Sequence, residues 1–541
     1  MLSKIYYWFD RTILELGREM RLSYLPPLMV YLAAGVSGLT GIVGMFFVKD
    51  YLGLSAEFLA ALGFWAGIPW ALKMPLGHLV DLIWKFKSVL VYIGAGLIAI
   101  SLLIMVGLLS HRESMSAIMS VEAWFVLSAL LAPIGYVVQD VVADAMTVEA
   151  VPHFDKNGDA FDPSTLRLMH TTVQTLGRVA IIGGGVFVAS LNVYLFDGVD
   201  TLEEAQKIQI YTDIYQYALI IPIVSIIGVL LGGWLKLKAF WNYRRQGIDR
   251  SQAWQMVHDQ GEKISPNWWI LGGSLVFVIF TVTLGLSEFT YNQEIIFIGS
   301  LAIVLFLMSR LLKVLDSEAK RILLGTAIII FMFRAMPGPG PGSTWWMIDE
   351  LAFDQQFFSV LSLIGSGLTL FGMFIFRRFM AEKSIAYIVV FLSIASALLS
   401  LPIVGMFYGF HEWTAAMTGG VVDARFIALV DTAIESPLGQ IAMIPMLAWI
   451  ANSAPANLKA TFFAVMASFT NLALSLSQLG TKYLNRVFEV SREVKDPVTN
   501  VISVPENYSE LGKLLITVTL IGLIIPLTTI FILRMTSLKS A

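Results

Sequence analysis

Apolar runs of about 20 residues recur along the whole chain, each long enough to cross ~30 Å of hydrocarbon as a helix. Lipid offers no partner to backbone N–H and C=O groups, so a helix is the conformation such runs must take. In the first half they lie near residues 26–48, 56–80, 88–109, 121–149, 168–191 and 212–235, then near 267–288 and 294–314. The second half adds 320–336, 356–377, 384–408, 425–450, 458–483 and 511–534, of which 320–336 is short. The pattern predicts an all-α, polytopic membrane protein with about fourteen spans.

Six spans, then two, then six predict a pair of six-helix halves separated by an inserted two-helix hairpin. That is the layout of a major-facilitator transporter with two extra helices, whose halves rock about a midplane site. The expected divisions are an N-terminal segment at 1–24, a first half at 25–236, a linker at 237–265, the hairpin at 266–316 and a second half at 317–541. Nothing in the sequence gives the hairpin a role beyond packing against lipid.

Charge placement sets the expected orientation. One set of short loops carries Lys85, Lys87, the basic residues of 236–250, Lys320, Arg321, Arg377, Arg378 and Lys383. The alternate set carries Asp197, Asp200, Glu203, Glu204, Glu288, Glu294, Asp349, Glu350 and Asp354. By the positive-inside rule the basic set is cytosolic, with both termini, as in a bacterial inner or plasma membrane or its organelle equivalent. The loop from Phe488 to Ser509 breaks the trend with Arg492 and Lys495 among acids. Asp10, Glu15 and Glu19 interrupt the N-terminal segment, which therefore reads as a cytosolic lead-in and not as a signal peptide.

Composition narrows the function classes. With 57% hydrophobic and 14% charged residues and a mean hydropathy of +0.75, the chain cannot build a water-soluble surface. There is no cysteine, which excludes disulfides, thiolate metal sites and thiol catalysis. A net charge of −3 without long basic runs argues against a nucleic-acid partner. No HExxH, P-loop or GxSxG occurs, so no catalytic residue, metal site or cofactor is expected, and the chain does not read as an enzyme.

Candidate chemistry lies in polar residues where lipid should be. Asp140 and Asp144 stand one helical turn apart in the fourth span, beside Gln139 and Glu149. A carboxylate at such depth costs ~3 kcal/mol unless it faces an aqueous cavity or finds a partner. The available cations are Lys73, in Pro69-Trp70-Ala71-Leu72-Lys73, and Arg178, about 16 Å into the fifth span if that helix starts near Arg167. Asp140 neutralises Arg178, or Arg178 binds a substrate carboxylate with its planar fork of donors. The same acids suit gating or proton carriage; a structural ion pair is the plainer alternative.

Gly77 and Asp81 precede Lys85 and Lys87 at a cytosolic turn, like the facilitator loop signature, which suggests a close helix contact at Gly77 and a charge latch from Asp81. In the second half Arg334, Asp431 and Glu435 are candidates for an outer gate, with Gln440 nearby. Gly35, Gly38, Gly41 and Gly44 form a small-residue stripe expected to pack a neighbouring helix. The repeat Pro337-Gly338-Pro339-Gly340-Pro341-Gly342 cannot continue a helix and reads as a stiff turn before a Trp345-Trp346 interface anchor.

Three stretches together resemble the folate-biopterin transporter family of the major facilitator superfamily. They are Gly67-Ile68-Pro69-Trp70-Ala71-Leu72-Lys73 on to Gly77 and Asp81; Asp140 through Glu149 with its paired aspartates; and Ile444-Pro445 through Ala454-Pro455 and Lys459 to Asn471. Lys459 stands where glutamate is usual, and Met74 where a proline often follows the lysine. The resemblance implies that Lys73, Asp140, Asp144 and Arg178 line a transport route, with Gln139 beside them. It implies alternating-access transport of a folate- or pterin-like organic anion, with protons as a candidate coupling ion. Gln139-Asp140 followed by Asp144 is also similar to muropeptide permeases and acetyl-coenzyme A transporters, whose substrates are likewise bulky anions. A membrane assembly factor without transport is the remaining alternative.

Overall fold

Pro26 and Pro27 occupy the first turn of α1 (Leu25–Val36), where their missing N–H groups cost nothing. In the computed structural model, which describes residues 15–71, 73–152, 161–258, 268–285, 287, 289–313, 315–439, 441, 445–446, 459–495, 502–536, 538 and 540, this first span tightens to a 3-10 turn at Ser37–Thr40 and resumes as α2 (Gly41–Tyr51). The second span is α3 (Ala56–Ala71), which contains Pro69, followed by α4, which starts at the functional candidate itself (Lys73–Leu82). Then come α5 (Ser88–Ser110), α6 (Val121–Ala150), α7 (Pro163–Leu195), α8 (Glu204–Ala218) and α9 (Ile220–Arg245).

The inserted hairpin is α10 (Trp268–Gly285) and α11 (Asn292–Leu312). Beyond it run α12 (Ser317–Arg334), α13 (Gln355–Ile375), α14 (Ile385–Leu399), α15 (Ala424–Glu435), α16 (Lys459–Val487) and α17 (Leu511–Met535). Ser120, Asp316, Asp354, Ser384 and Asp423 each accept a backbone N–H from three residues on, which fixes where α6, α12, α13, α14 and α15 begin. A two-stranded antiparallel ladder pairs Val494 with Val504 and Lys495 with Ile502. The other regular elements among the described residues are helices.

Among the described residues, eleven helices are long and apolar enough to cross a membrane. The other expected spans differ for identifiable reasons. α12 carries Glu318, Lys320, Arg321 and Arg334 at its ends, α15 has only 12 residues before the 3-10 turn at Ser436–Leu438, and α16 is polar along its length, with Asn471, Ser475 and Gln478. A helix that faces other helices needs less apolar surface than one that faces lipid.

In the first half α5 packs on α6, and α1 on α6, α7 and α9. In the second, α14 and α12 pack on α17, α12 on α16, and α13 on α15. The halves meet chiefly where α16 packs on α3 and α4 and where α13 packs on α7. Small residues let α16 approach α3 closely. A Cβ on Gly63 would sit 2.7 Å from Gln478 Oε1 and one on Gly67 3.5 Å from Ser475 Oγ, and Asn471 Nδ2 donates to the Trp70 carbonyl at 3.1 Å.

The glycine stripe of the first span is used at one position. A Cβ on Gly35 would overlap the Ile181 carbonyl, and one on Gly184 would sit 2.9 Å from the Gly35 carbonyl carbon, so α1 and α7 cross there backbone to backbone. Nothing lies within 4 Å of a Cβ on Gly41, and the 3-10 turn between them rotates the stripe off one face. Gly35→Ala should therefore lower the thermal midpoint of detergent-solubilised protein, by an overpacking cost of about 1–3 kcal/mol. Gly41→Ala should leave it unchanged or raise it. Equal midpoints for the two variants would remove the distinction.

Gly77 does not make the close contact expected of it. Nothing lies within 4 Å of its Cβ position. Trp345 and Trp346 are buried and so are not interface anchors, and the Pro-Gly turn before them packs on α16 through Ser477, Thr481 and Asn485. At Gly340 the backbone is left-handed (φ 77°), and a Cβ would meet Asn485 Nδ2 at 2.6 Å, so glycine is required there.

Candidate functional site

Lys73, the first residue of α4, meets the face of α6 that carries Asp140 and Asp144. The ammonium sits between the two carboxylates, 2.6 Å from Asp140 Oδ2 and 2.8 Å from Asp144 Oδ2. Asp144 spends its other oxygen on the Tyr31 hydroxyl, which donates from α1 at 2.5 Å. Lys73 and Asp140 have side chains 19% and 18% exposed; Asp144 is more open at 39%. Two acids one turn apart would repel in a low-dielectric interior, and a lysine shared between them removes that cost.

Arg178, on α7, is close enough for its charge to act on Asp140 and Tyr31. Its guanidinium forms no direct ion pair among the described residues, whereas Lys73 is saturated by two. Lys73, Arg178, Asp140 and Asp144 together sum to zero charge. All four belong to the first half; from the second half α16 packs on α4, whose first residue is Lys73, as well as on α3, and α13 packs on α7.

Gln139 is part of the packing and not of the cluster. It is 2% exposed; its Nε2 donates to the Val91 carbonyl at 3.3 Å and its Oε1 accepts from Ser225 at 2.9 Å, joining α6 to α5 and α9. A step of one residue from Asp140 along the helix is enough to turn a side chain away from the site. Glu149 takes both Lys87 (2.9 Å) and Lys236 (2.7 Å), a second ion cluster at the end of α6 that ties the turn before α5 to α9. The side chain of Asp81 and residue Gln440 lie outside those described.

The expected gate of Arg334 with Asp431 and Glu435 does not form as a direct ion pair. Arg334 Nη1 lies 3.5 Å from Met446 Sδ, beside a cavity of about 160 Å³ lined by Ile330, Phe333, Ile388 and Pro445. Asp431 and Glu435 act on each other, one turn apart on α15, and Glu435 is exposed.

A group that sequence reasoning took for a loop charge closes the opposite end of the molecule. Arg492 is 2% exposed and reaches from the loop after α16 to the C-terminal end of α2 in the other half. Its guanidinium donates to the carbonyls of Lys49 (2.6 Å), Val48 (2.9 Å), Leu54 (3.0 Å) and Leu52. It also stacks over Trp345 at 4.2 Å. Burial pulls its pKa down to about 10, still above neutral, so it stays a cation facing the negative end of the helix dipole.

Lys49 pairs with Asp349 (2.6 Å), Tyr508 donates to Asp349 (2.5 Å), and Gln355 and Gln356 donate to Tyr211 (2.7 Å) and Asp197 (2.9 Å). The two halves are thus latched on the face of the acidic loops. Tyr31 and Arg492 were the residues that sequence reasoning missed. The only signal for Tyr31 was a hydroxyl in an apolar run, and for Arg492 its exception to the charge rule.

Residues 274–539 match the BT1 family. A curated relative, the folate-biopterin transporter of Synechocystis sp., is 30% identical over 158 residues, a stretch that covers 29% of this chain and 31% of that protein. The chain therefore aligns with about a third of that relative's length. Among solved structures, an auto-inhibited POT family peptide transporter superposes with a TM-score of 0.57 at 12% identity, covering 97% of this chain and 98% of that one. The nucleoside transporter NupG gives 0.53 at 12% identity, with 94% and 99% covered. At those identities the likeness speaks for the fold alone, two six-helix halves of the major-facilitator type. Family and fold neighbours are membrane transporters and not enzymes. Through residues 274–539, just under half of its length, the chain is similar to the BT1 family, and its long apolar helices are those of a multi-pass integral membrane protein.

Proposed function

We propose that the protein carries a folate- or pterin-like organic anion across the membrane by alternating access, coupled to protons through Asp140 and Asp144. The observation that carries this reading is a lysine shared by two carboxylates at 2.6 and 2.8 Å beside an arginine with no direct ion pair among the described residues. Arg178 is then the cation available to a substrate carboxylate, for which its planar donor fork is suited. The arriving anion makes a neutral cluster negative by one, and a proton taken onto Asp140 or Asp144 restores neutrality. Substrate and proton binding thereby favour each other, which is symport.

On this reading the basic loops are cytosolic, the latched acidic face is external, and the two halves at 25–236 and 317–541 rock about the seam, with 237–265 as linker and 266–316 as hairpin. The name of the Synechocystis relative supports the substrate class. Uptake of radiolabelled folate and a panel of pterins, muropeptides and acyl-coenzyme A into proteoliposomes, with an imposed pH gradient, tests it. Saturable folate or pterin uptake driven by the gradient and abolished in folded Asp140→Asn is the expected result. Uptake of only another panel member would replace the substrate class, and gradient-independent uptake would remove the proton.

A further inference from the structure

The inserted hairpin is not confined to lipid. α11 packs along α16 and α10 against α4, so the hairpin lies over the seam between the halves. At its acidic-face end, Gln293 is 5% exposed and uses both ends of its amide: Nε2 donates to the Ala61 carbonyl on α3 (3.2 Å), and Oε1 accepts from Lys482 Nζ on α16 (3.0 Å). Glu294 next to it accepts from the same Lys482 (3.1 Å) and from the Tyr483 hydroxyl (2.6 Å). One turn of the hairpin thereby grips a helix of each half. Close packing seats it, since a Cβ on Gly285 would lie 3.0 Å from the Trp65 ring of α3.

We infer that Gln293 and Glu294 are positioning residues for transport: they clamp the ends of α3 and α16 together and set how readily the acidic face opens. α3 and α16 face one another across the seam, so opening must part their ends, and one side of the Gln293–Glu294 grip must then break. Glu294 needs Lys482 and Tyr483 to offset its partly buried charge, so that side holds while the amide contact to Ala61 is the weaker one. The hairpin therefore stays with α16 and leaves α3 on each cycle. This inference rests on the alternating-access reading.

Because the chain has no cysteine, two introduced cysteines report alone. Spin labels at Ile118→Cys and Val421→Cys, exposed loop positions 77% and 66% accessible on the acidic face of either half, read the opening as a distance distribution in full-length reconstituted protein. Glu294→Ala and Lys482→Ala should each raise the long-distance population on the order of tenfold. The exchanged pair Glu294→Lys with Lys482→Glu should restore the short distance, a recovery that a general packing defect would not show. An unchanged distribution in both alanine variants, while Arg492→Ala opens the same pair of labels, overturns the clamp and leaves alternating access standing. A single short distance in every variant and with every substrate overturns both.

Discussion

Lys73→Ala is expected to abolish gradient-driven uptake, a loss on the order of a hundredfold or more, and to destabilise the protein by about 2–4 kcal/mol. The ammonium between Asp140 and Asp144 is the only direct cation partner of either acid among the described residues, so its removal leaves two carboxylates one turn apart facing each other. The figure lies below that for a fully buried pair because Asp144 is 39% exposed and water can reach it. The paired variant Lys73→Ala with Asp140→Asn separates structure from transport. It should recover most of the thermal midpoint, since one acid and one cation have gone together, while uptake stays absent because a titrating partner is missing. Near wild-type uptake by folded Lys73→Ala would sink the role given to the cluster.

Arg492→Ala carries the second large effect. Four carbonyls at the end of α2 and after it, together with the Trp345 ring, lose the guanidinium that donates to or stacks on them. Loss of a buried, charged set of hydrogen bonds costs about 3 kcal/mol. Since those bonds cross between the halves, the cost falls on the latched state and shifts the equilibrium toward an open acidic face by roughly a hundredfold. Spin-label distances across that face should lengthen without substrate, and uptake should slow because return to the latched state has become the unfavourable step. Arg492→Lys should recover only part of the effect, as one ammonium cannot match a five-donor fork. A short, unchanged distance in Arg492→Ala would show that Lys49–Asp349 and the glutamine contacts close the face without it.

The spans were legible from the sequence because a bilayer leaves a backbone one choice, and roughly 20 apolar residues announce it. Among the spans least visible that way, α12 carries its charges at its ends, and α16 turns Asn471, Ser475 and Gln478 toward α3. Lys73, Asp140 and Asp144 were legible for the opposite reason: a charge in such a run is costly enough that it must have a partner. Which cation they meet was not, since Lys73 and Arg178 were both within reach along the chain. Gln139, next to Asp140, joined the candidates by adjacency alone, and the 100° step of a helix sends it to Val91 and Ser225 instead.

Membrane insertion, the count of spans to within a few, the alternation of basic and acidic loops and the polar residues of the sites were thus determined by the sequence alone, through the local cost of placing each residue in lipid or water. The tertiary structure decided the partners. It gave Lys73 to both aspartates, turned Arg492 from a loop charge into a helix cap in the other half, buried Trp345 beneath it, and set the hairpin across the seam. Such pairings depend on which helix faces which, and distance along the chain carries no record of that.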